Sequence, residues 1–200
     1  LTALNAALRI SMRRSIPSSK PHCDKKALRA QKRSELEALP QGYIDESNAA
    51  IEAKLLSLPE YIAAKRVFVY FSIGREVKTQ GIISHALAAG KIAALPVCEA
   101  DGKMSFRLIS SLNELRSGKF GIPEPVPDAP ELTPQTDDIM IVPALCCDEN
   151  GDRLGHGAGY YDRYLAEYEC FTVCLCRKRM MESIIPTEPT DIAVSLVLTE

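Results

Sequence analysis

Residues Gly151 to Tyr164 read GDRLGHGAGYYDRY, and the order of structure around them decides the fold. Upstream, Asp138 to Val142 (DIMIV) is a short apolar run closed by Pro143, the pattern of a strand buried in a parallel sheet. Downstream, Tyr161, Leu165 and Tyr168 recur at i, i+4 and i+7, one face of a helix. Between them Gly155, Gly157 and Gly159 remove the Cβ from every second position, so the backbone can take positive φ and approach a bulky anion closely. The expected order is strand, glycine loop, helix, with the helix's free N–H groups and positive dipole end facing whatever the loop holds, an arrangement that favours phosphate. Arg153 stands at the loop entrance as a fixed positive charge. Asp162 falls in the first helical turn, where it could complete a Mg²⁺ site with substrate phosphates. Taken alone, the same pattern also serves as plain turn chemistry with core tyrosines. Neither GxGxxG nor the Walker pattern fits, because the spacing is GxGxG, no strand is expected to run directly into it, and no GK(S/T) follows.

The flanking sequence reads as alternating helices and strands. Asp24 is a good N-cap for a helix to about Leu39, stopped by Pro40, with Leu28, Leu36 and Leu39 inside and Lys25, Arg29, Lys32 and Arg33 as a basic stripe. A second helix is predicted over about 45–57, marked by Ala49, Leu55 and Leu56. Arg66 to Phe71 (RVFVYF) is the clearest strand, followed by Ser72, Gly74 and Glu76 and by Thr79 as the cap of a helix ending at Gly90. Strands are predicted at 92–97, at 103–108 after an Asp-Gly turn, at 171–176 and at 195–198. Residues 122–134 hold five prolines and read as an ordered surface connection. This alternation predicts a single α/β domain, three-layer α/β/α, with a largely parallel sheet. Ligands of such sheets collect outside the carboxyl ends of the strands.

Composition narrows the class. The 200 residues carry a net charge of −2, with no whole-protein pull toward nucleic acid or membrane. The charge is uneven: residues 1–33 sum to +8 and the remainder to −10. Residues 1–23 read as a basic, disordered N-terminal extension, although a transit peptide has the same composition. Seven cysteines without a CxxC pair, an odd number, point to reduced thiols and a cytoplasmic setting, with Cys174 and Cys176 on one face of a strand. No apolar run approaches the roughly 20 residues that span a bilayer.

The run RLGHGAGYYDRYL resembles the signature of the 5-formyltetrahydrofolate cyclo-ligase family. KKALR (25–29), YFSIGREVKT (70–79), GIPEP (121–125) and DIAV (191–194) agree in order and spacing, so the resemblance covers roughly residues 24–198. It implies an ATP- and Mg²⁺-dependent enzyme. In the family, ATP phosphorylates the formyl oxygen of 5-formyltetrahydrofolate, N10 attacks the activated carbon, and loss of phosphate leaves 5,10-methenyltetrahydrofolate. Such phosphoryl transfer depends mostly on positioning and charge neutralisation. By the resemblance, Lys25, Lys26, Ala27, Leu28 and Arg29 together with Arg153, Leu154, Gly155, His156, Gly157, Ala158, Gly159, Tyr160 and Tyr161 bind ATP, and Arg153 is catalytic. Phe71, Glu76 and residues His156 to Tyr160 meet the folate, and Asp162 and Asp191 hold the metal. The implied partner is the small-molecule folate alone, with the chain a monomer or weak dimer. His156, Met180 and Ser195 depart from the family's arginine, glutamine and aspartate, and Cys146 and Cys147 replace more usual apolar residues. The alternative is a non-catalytic nucleotide- or RNA-binding relative using the basic N-terminal segment. A sugar-phosphate isomerase or CoA transferase of the same layout would need an acid/base pair or nucleophilic carboxylate of its own.

Overall fold

The structure is a computed structural model that describes residues 24–99 and 102–200; the basic segment 1–23 and part of the turn at 101 lie outside the described residues. Helix α1 spans Lys25–Ala38, and the Asp24 carboxylate accepts the Lys26 N–H at 2.9 Å, the capping bond its sequence predicts. Helix α2 spans Gln41–Leu56, starting one turn earlier than predicted, directly after Pro40. Its buried residues are Ile44, Ser47, Ile51 and Leu55, whereas Ala49 is exposed. A short helix α3, Pro59–Ala63, begins on a proline at its first position and was not foreseen from the sequence.

Strand β1 (Arg66–Val69), helix α4 (Gln80–Ala88) and strand β2 (Ile92–Cys98) follow as a parallel crossover unit. Strand β3 (Met104–Ile109) turns back antiparallel on β2. The proline-rich connection is more structured than expected. It contributes β5 (Pro123–Glu124), which pairs with β4 (Arg116–Ser117), and β6 (Glu131–Leu132), which closes the sheet edge against β3. Strand β7 (Ile139–Val142) lies beside β1. A hairpin of β8 (Cys146–Cys147) and β9 (Arg153–Leu154) then leads into the glycine loop and helix α5 (Tyr160–Glu167). The expectation that no strand runs into the loop is therefore corrected, since β9 ends one residue before Gly155. Strands β10 (Phe171–Leu175) and β11 (Leu196–Leu198) complete a seven-stranded sheet of order β11-β10-β7-β1-β2-β3-β6, in which β3 alone runs opposite to the rest and so pairs antiparallel with both β2 and β6.

Alternation along the strands builds two apolar layers. Val67, Val69, Ile139, Ile141, Val173 and Leu175 pack under Ile51, Leu55, Ile82 and Ile83 of α2 and α4. Phe68, Met140, Cys174 and Ala94 point the other way and pack with Tyr164 of α5, Phe106 and Cys147. Tyr161, Leu165 and Tyr168 flank Tyr164 on this face, half-buried rather than fully so. Each large side chain buried this way contributes about 1.5–3 kcal/mol. Cys147 and Cys174 sit with their sulfurs 3.2 Å apart as thiols in this second layer, and all six described cysteines are free. Burial pushes the Cys146 thiol up to about 12, so it packs as a small apolar group.

Candidate functional site

The parallel strands β1, β7 and β10 end side by side, and the segments leaving them carry the site. After β7 the chain makes the 148–152 turn around the fully buried Asp148, whose carboxylate accepts N–H bonds from Asn150 (2.9 Å), Asp152 (3.1 Å) and Ile185 (2.9 Å). Gly151 in that turn has φ +87, and a Cβ there would lie 2.4 Å from the Val194 carbonyl oxygen. That close approach locks the hairpin to the 191–194 segment.

Beyond β9 the glycine loop is exposed at His156, Gly157 and Ala158. Helix α1 runs along it. Lys25, Arg29 and Arg33 stand one turn apart, so the outer two are about 12 Å apart along the axis. Arg29 Nε donates to the Gly155 carbonyl at 3.0 Å and Arg33 Nη2 to that of His156 at 3.2 Å. Arg163 of α5 donates to the Ala158 carbonyl at 2.9 Å and to Gly102 O at 2.7 Å. Three guanidiniums thus hold three loop carbonyls. The N–H groups from Gly155 to Tyr161 donate to no acceptor among the described residues. A run of free N–H groups at a helix N-terminus is an anion-binding concavity. Gly157 and Gly159 make it possible with φ of +106 and +69, whereas Gly155 does not use a positive φ.

Charged side chains cluster beside the loop. Arg153 is buried and donates to Asp162 Oδ1 at 3.0 Å, and its Nε has no partner among the described residues. Asp162 Oδ1 also accepts the Ile192 N–H at 3.2 Å. Lys25 Nζ lies 2.5 Å from Asp191 Oδ2 and 3.2 Å from Glu188. Burial works to raise the Asp191 carboxyl, but hydrogen bonds from Lys25 and the Glu188 N–H outweigh it and hold the group below the usual carboxylate range. The fixed charge that the sequence places at the loop entrance is therefore paired: Arg153 belongs to a cluster of two cations, with Lys25, and three carboxylates, Asp162, Glu188 and Asp191. Asp162 Oδ2 and Asp191 Oδ1 accept no hydrogen bond from the described residues. That leaves one oxygen on each for a hard cation that keeps most of its shell as water and phosphate. Among the described residues no three such ligands converge.

The loop after β1, residues 72–79, faces the same rim. Thr79 does not cap α4 with its side chain, as its position implies. Its hydroxyl donates instead to the Tyr70 carbonyl at 2.7 Å and accepts from the Ser72 N–H at 3.0 Å, closing the loop from beneath. Glu76 Oε2 accepts the Ile73 N–H at 2.8 Å, and Oε1 lies 3.1 Å from His156 Nε2. The two loops therefore meet through Glu76 and His156 over a cleft of about 240 Å³ lined by Arg33, Leu36, Glu37, Ile73, Glu76 and His156, among others.

Of the residues singled out by sequence, Lys25, Arg29, Arg153, Asp162, Asp191 and the 155–159 loop come together, with Glu76 and His156 joining the glycine loop to the cleft. Leu28 and Leu154 are 5% and 1% exposed and pack with Cys146 and Ile185 as the apolar floor under the loop. Lys26 and Ala27 are exposed on the outer side of α1. Phe71 packs against the α2/α4 layer and does not line the cleft. Tyr160 lies within 5.4 Å of the Arg163 guanidinium over its ring, whereas the Tyr161 hydroxyl is buried without a partner among the described residues. Sequence reading passed over Arg33, Arg163, Arg75 and Arg177. The cue for Arg33 was its place on the α1 stripe, and Arg163 and Arg75 lie inside the RLGHGAGYYDRYL and YFSIGREVKT motifs, whereas Arg177 falls in no motif. Lys32, counted with that stripe, is instead buried against Glu35 and Glu182.

A family model for 5-formyltetrahydrofolate cyclo-ligases matches residues 21–200. A 5-formyltetrahydrofolate cyclo-ligase of Mycolicibacterium smegmatis is 33% identical over 86% of this chain and 90% of its own. A probable 5-formyltetrahydrofolate cyclo-ligase of Schizosaccharomyces pombe is 29% identical, over 88% and 94%. Among solved structures, a 5,10-methenyltetrahydrofolate synthetase of Aquifex aeolicus superposes with a TM-score of 0.77 at 29% identity, covering 87% of this chain and 88% of that one.

Proposed function

The chain belongs to the 5-formyltetrahydrofolate cyclo-ligase family, whose ATP-dependent reaction it carries out, and we propose that it does so with the nucleotide on the 155–159 loop and the folate in the cleft below Glu76. The observation that carries this reading is the row of free N–H groups from Gly155 to Tyr161, held open because arginines have taken the loop carbonyls. Such a loop binds the triphosphate, with Lys25 and Arg29 supplying positive charge from α1. Arg153, buried and only singly bonded, turns its remaining donors toward the transferring phosphoryl group, where charge stabilisation has most effect. Mg²⁺, entering with ATP, neutralises phosphate charge when bound, and Asp162 and Asp191 would hold it through their free oxygens.

Glu76 accepts hydrogen bonds from the N–H edge of the pterin, and His156 leaves it as the folate enters. Both loops then hold the formyl oxygen against the γ-phosphate. Transfer makes an O–P bond and breaks the bond to ADP; N10 attacks the activated carbon and gives up its proton, and the C–O bond breaks with phosphate leaving and carrying that proton away. The chain's own part is to align the partners and exclude water. The six described cysteines, all thiols, fit a reducing compartment such as the cytoplasm. Incubating the protein with 5-formyltetrahydrofolate and MgATP is expected to generate the methenyl chromophore in an ATP-dependent manner. Folded protein that yields no chromophore with either substrate in excess refutes the assignment.

A further inference from the structure

Arg177 follows β10 at the rim of the site and is 2% exposed, yet no carboxylate lies within ion-pair distance of it among the described residues. Burial lowers its affinity for the proton, as expected for a charge without a counter-ion. Its guanidinium is instead spread over neutral acceptors. Nε donates to Ser47 Oγ at 2.9 Å and Nη2 to Asn48 Oδ1 at 2.7 Å, both on α2. Nη1 donates to the Arg75 carbonyl at 2.9 Å and Nη2 to the Glu76 carbonyl at 3.2 Å.

An isolated buried cation is a poor device for stability, because apolar residues of similar volume fill such space without desolvating a charge. What the planar, five-donor fork does well is fix the orientation of several acceptors at once. Here two of those acceptors are consecutive carbonyls, so the peptide plane between Arg75 and Glu76 is pinned. That plane sets the direction in which the Glu76 side chain leaves the backbone. The Arg75 side chain in turn donates to the Leu36 carbonyl at 3.0 Å and to that of Leu39, tying the same loop to the end of α1. Asn48 Oδ1 also accepts the Lys78 N–H at 3.2 Å, so the loop is held on both sides of Glu76, by Arg177 and the end of α1 before it and by α2 after it.

We propose that Arg177 is a positioning residue for the folate: through the Arg75 and Glu76 carbonyls it aims the Glu76 carboxylate into the cleft. The inference rests on the reading that Glu76 meets the folate, and the test separates the two. Michaelis constants for 5-formyltetrahydrofolate and for ATP, together with melting temperatures, would be measured for Arg177→Met, Arg177→Lys, Glu76→Gln and the Arg177→Met/Glu76→Gln double variant. Arg177→Met is expected to raise KM for the folate about tenfold, the loss of one charged hydrogen bond, while KM for ATP stays within about twofold. Arg177→Lys, which keeps the charge and fewer of the bonds, is expected to fall between wild type and Met. The double variant is expected to be no worse than Glu76→Gln, since both act on one contact. If Glu76→Gln leaves folate KM unchanged, the folate assignment of Glu76 fails and this inference fails with it. If Glu76→Gln raises folate KM but Arg177→Met does not, or Arg177→Met raises both Michaelis constants equally, the positioning role alone is overturned. Should Arg177→Met not fold, Arg177→Lys decides: wild-type folate KM in that folded variant overturns the proposal, and a selective rise supports it.

Discussion

Two arginine–aspartate pairs lie at opposite ends of the parallel strands, and they are built differently. At the amino end, Arg66 donates from Nε to Asp138 Oδ1 at 2.8 Å and from Nη2 to Oδ2, and Oδ2 accepts the Gln135 N–H at 2.7 Å as well. Asp138 is 3% exposed, and the pair bridges β1 and β7 where they begin. At the carboxyl end, Arg153 makes one bond to Asp162, its Nε is buried without a partner among the described residues, and Asp162 Oδ2 accepts nothing from them. A saturated fork consumes its own donors and acceptors and fixes strand register. An unsaturated one retains them for a ligand and pays in stability for an orphaned donor, about 1–3 kcal/mol. In the proposed mechanism the same two residue types therefore serve architecture at one end and chemistry at the other.

The largest expected effect is at the open pair. Arg153→Ala is expected to lower kcat by about 10²–10³-fold, the size of losing a preorganised charge donor, while the melting temperature moves little. Steady-state kinetics beside thermal melting checks this, and equal collapse of both would make Arg153 a second structural pair. Arg66→Ala is the mirror experiment. It strands Asp138 and is expected to cost about 3 kcal/mol of stability, roughly 6–12 °C in melting temperature for a chain of this size, with the kinetic constants of the surviving fold close to wild type.

Between these extremes lies the loop itself. Gly157→Ala places a Cβ at φ +106 and within 3.4 Å of Arg29 Nε. Strain of about 1–3 kcal/mol in the nucleotide loop is expected to raise KM for ATP about tenfold and to leave folate KM unchanged.

How far the two pairs could be read from sequence differs for a physical reason. Strands and caps are local: the apolar run at 139–142, the RVFV of β1 and the Asp24 cap declared themselves because a few adjacent residues determine them. The parallel order followed from alternation with helices. The β8–β9 hairpin did not, because four paired residues around a buried Asp148 leave no periodic trace. Long-range side chains were equally silent. Arg66 and Asp138 are separated by 72 positions, and Arg177 reaches Ser47 across 130. Arg153 stood out from its place at the entrance of the glycine loop, but Lys25 and Glu76 gained their roles only from ordered family motifs; no spacing rule brings such distant residues together. Leu28 and Leu154 show that a motif position can also report a packing need, since both side chains sit in one apolar cluster under the loop.

The smallest effect concerns pH. The Asp191 carboxyl is held below its ordinary value, so its pairing with Lys25 adds stability that is fully present above the unfolded value, about pH 4, and is lost as pH falls through the lower folded value. Melting curves of wild type and Asp191→Asn are therefore expected to differ above about pH 4 and to converge in stronger acid. A constant difference across that range would separate Asp191 from the charge cluster.

The central claim is that the free N–H row of the 155–159 loop presents ATP to the formyl oxygen of a folate lying against Glu76. Its most direct test is isotopic: 5-formyltetrahydrofolate carrying ¹⁸O in the formyl group is turned over with unlabelled MgATP in ordinary water, and the phosphate released is examined by mass spectrometry. Transfer to that oxygen places the label in the inorganic phosphate, one atom for each methenyl group formed. Unlabelled phosphate accompanying methenyl product would contradict it.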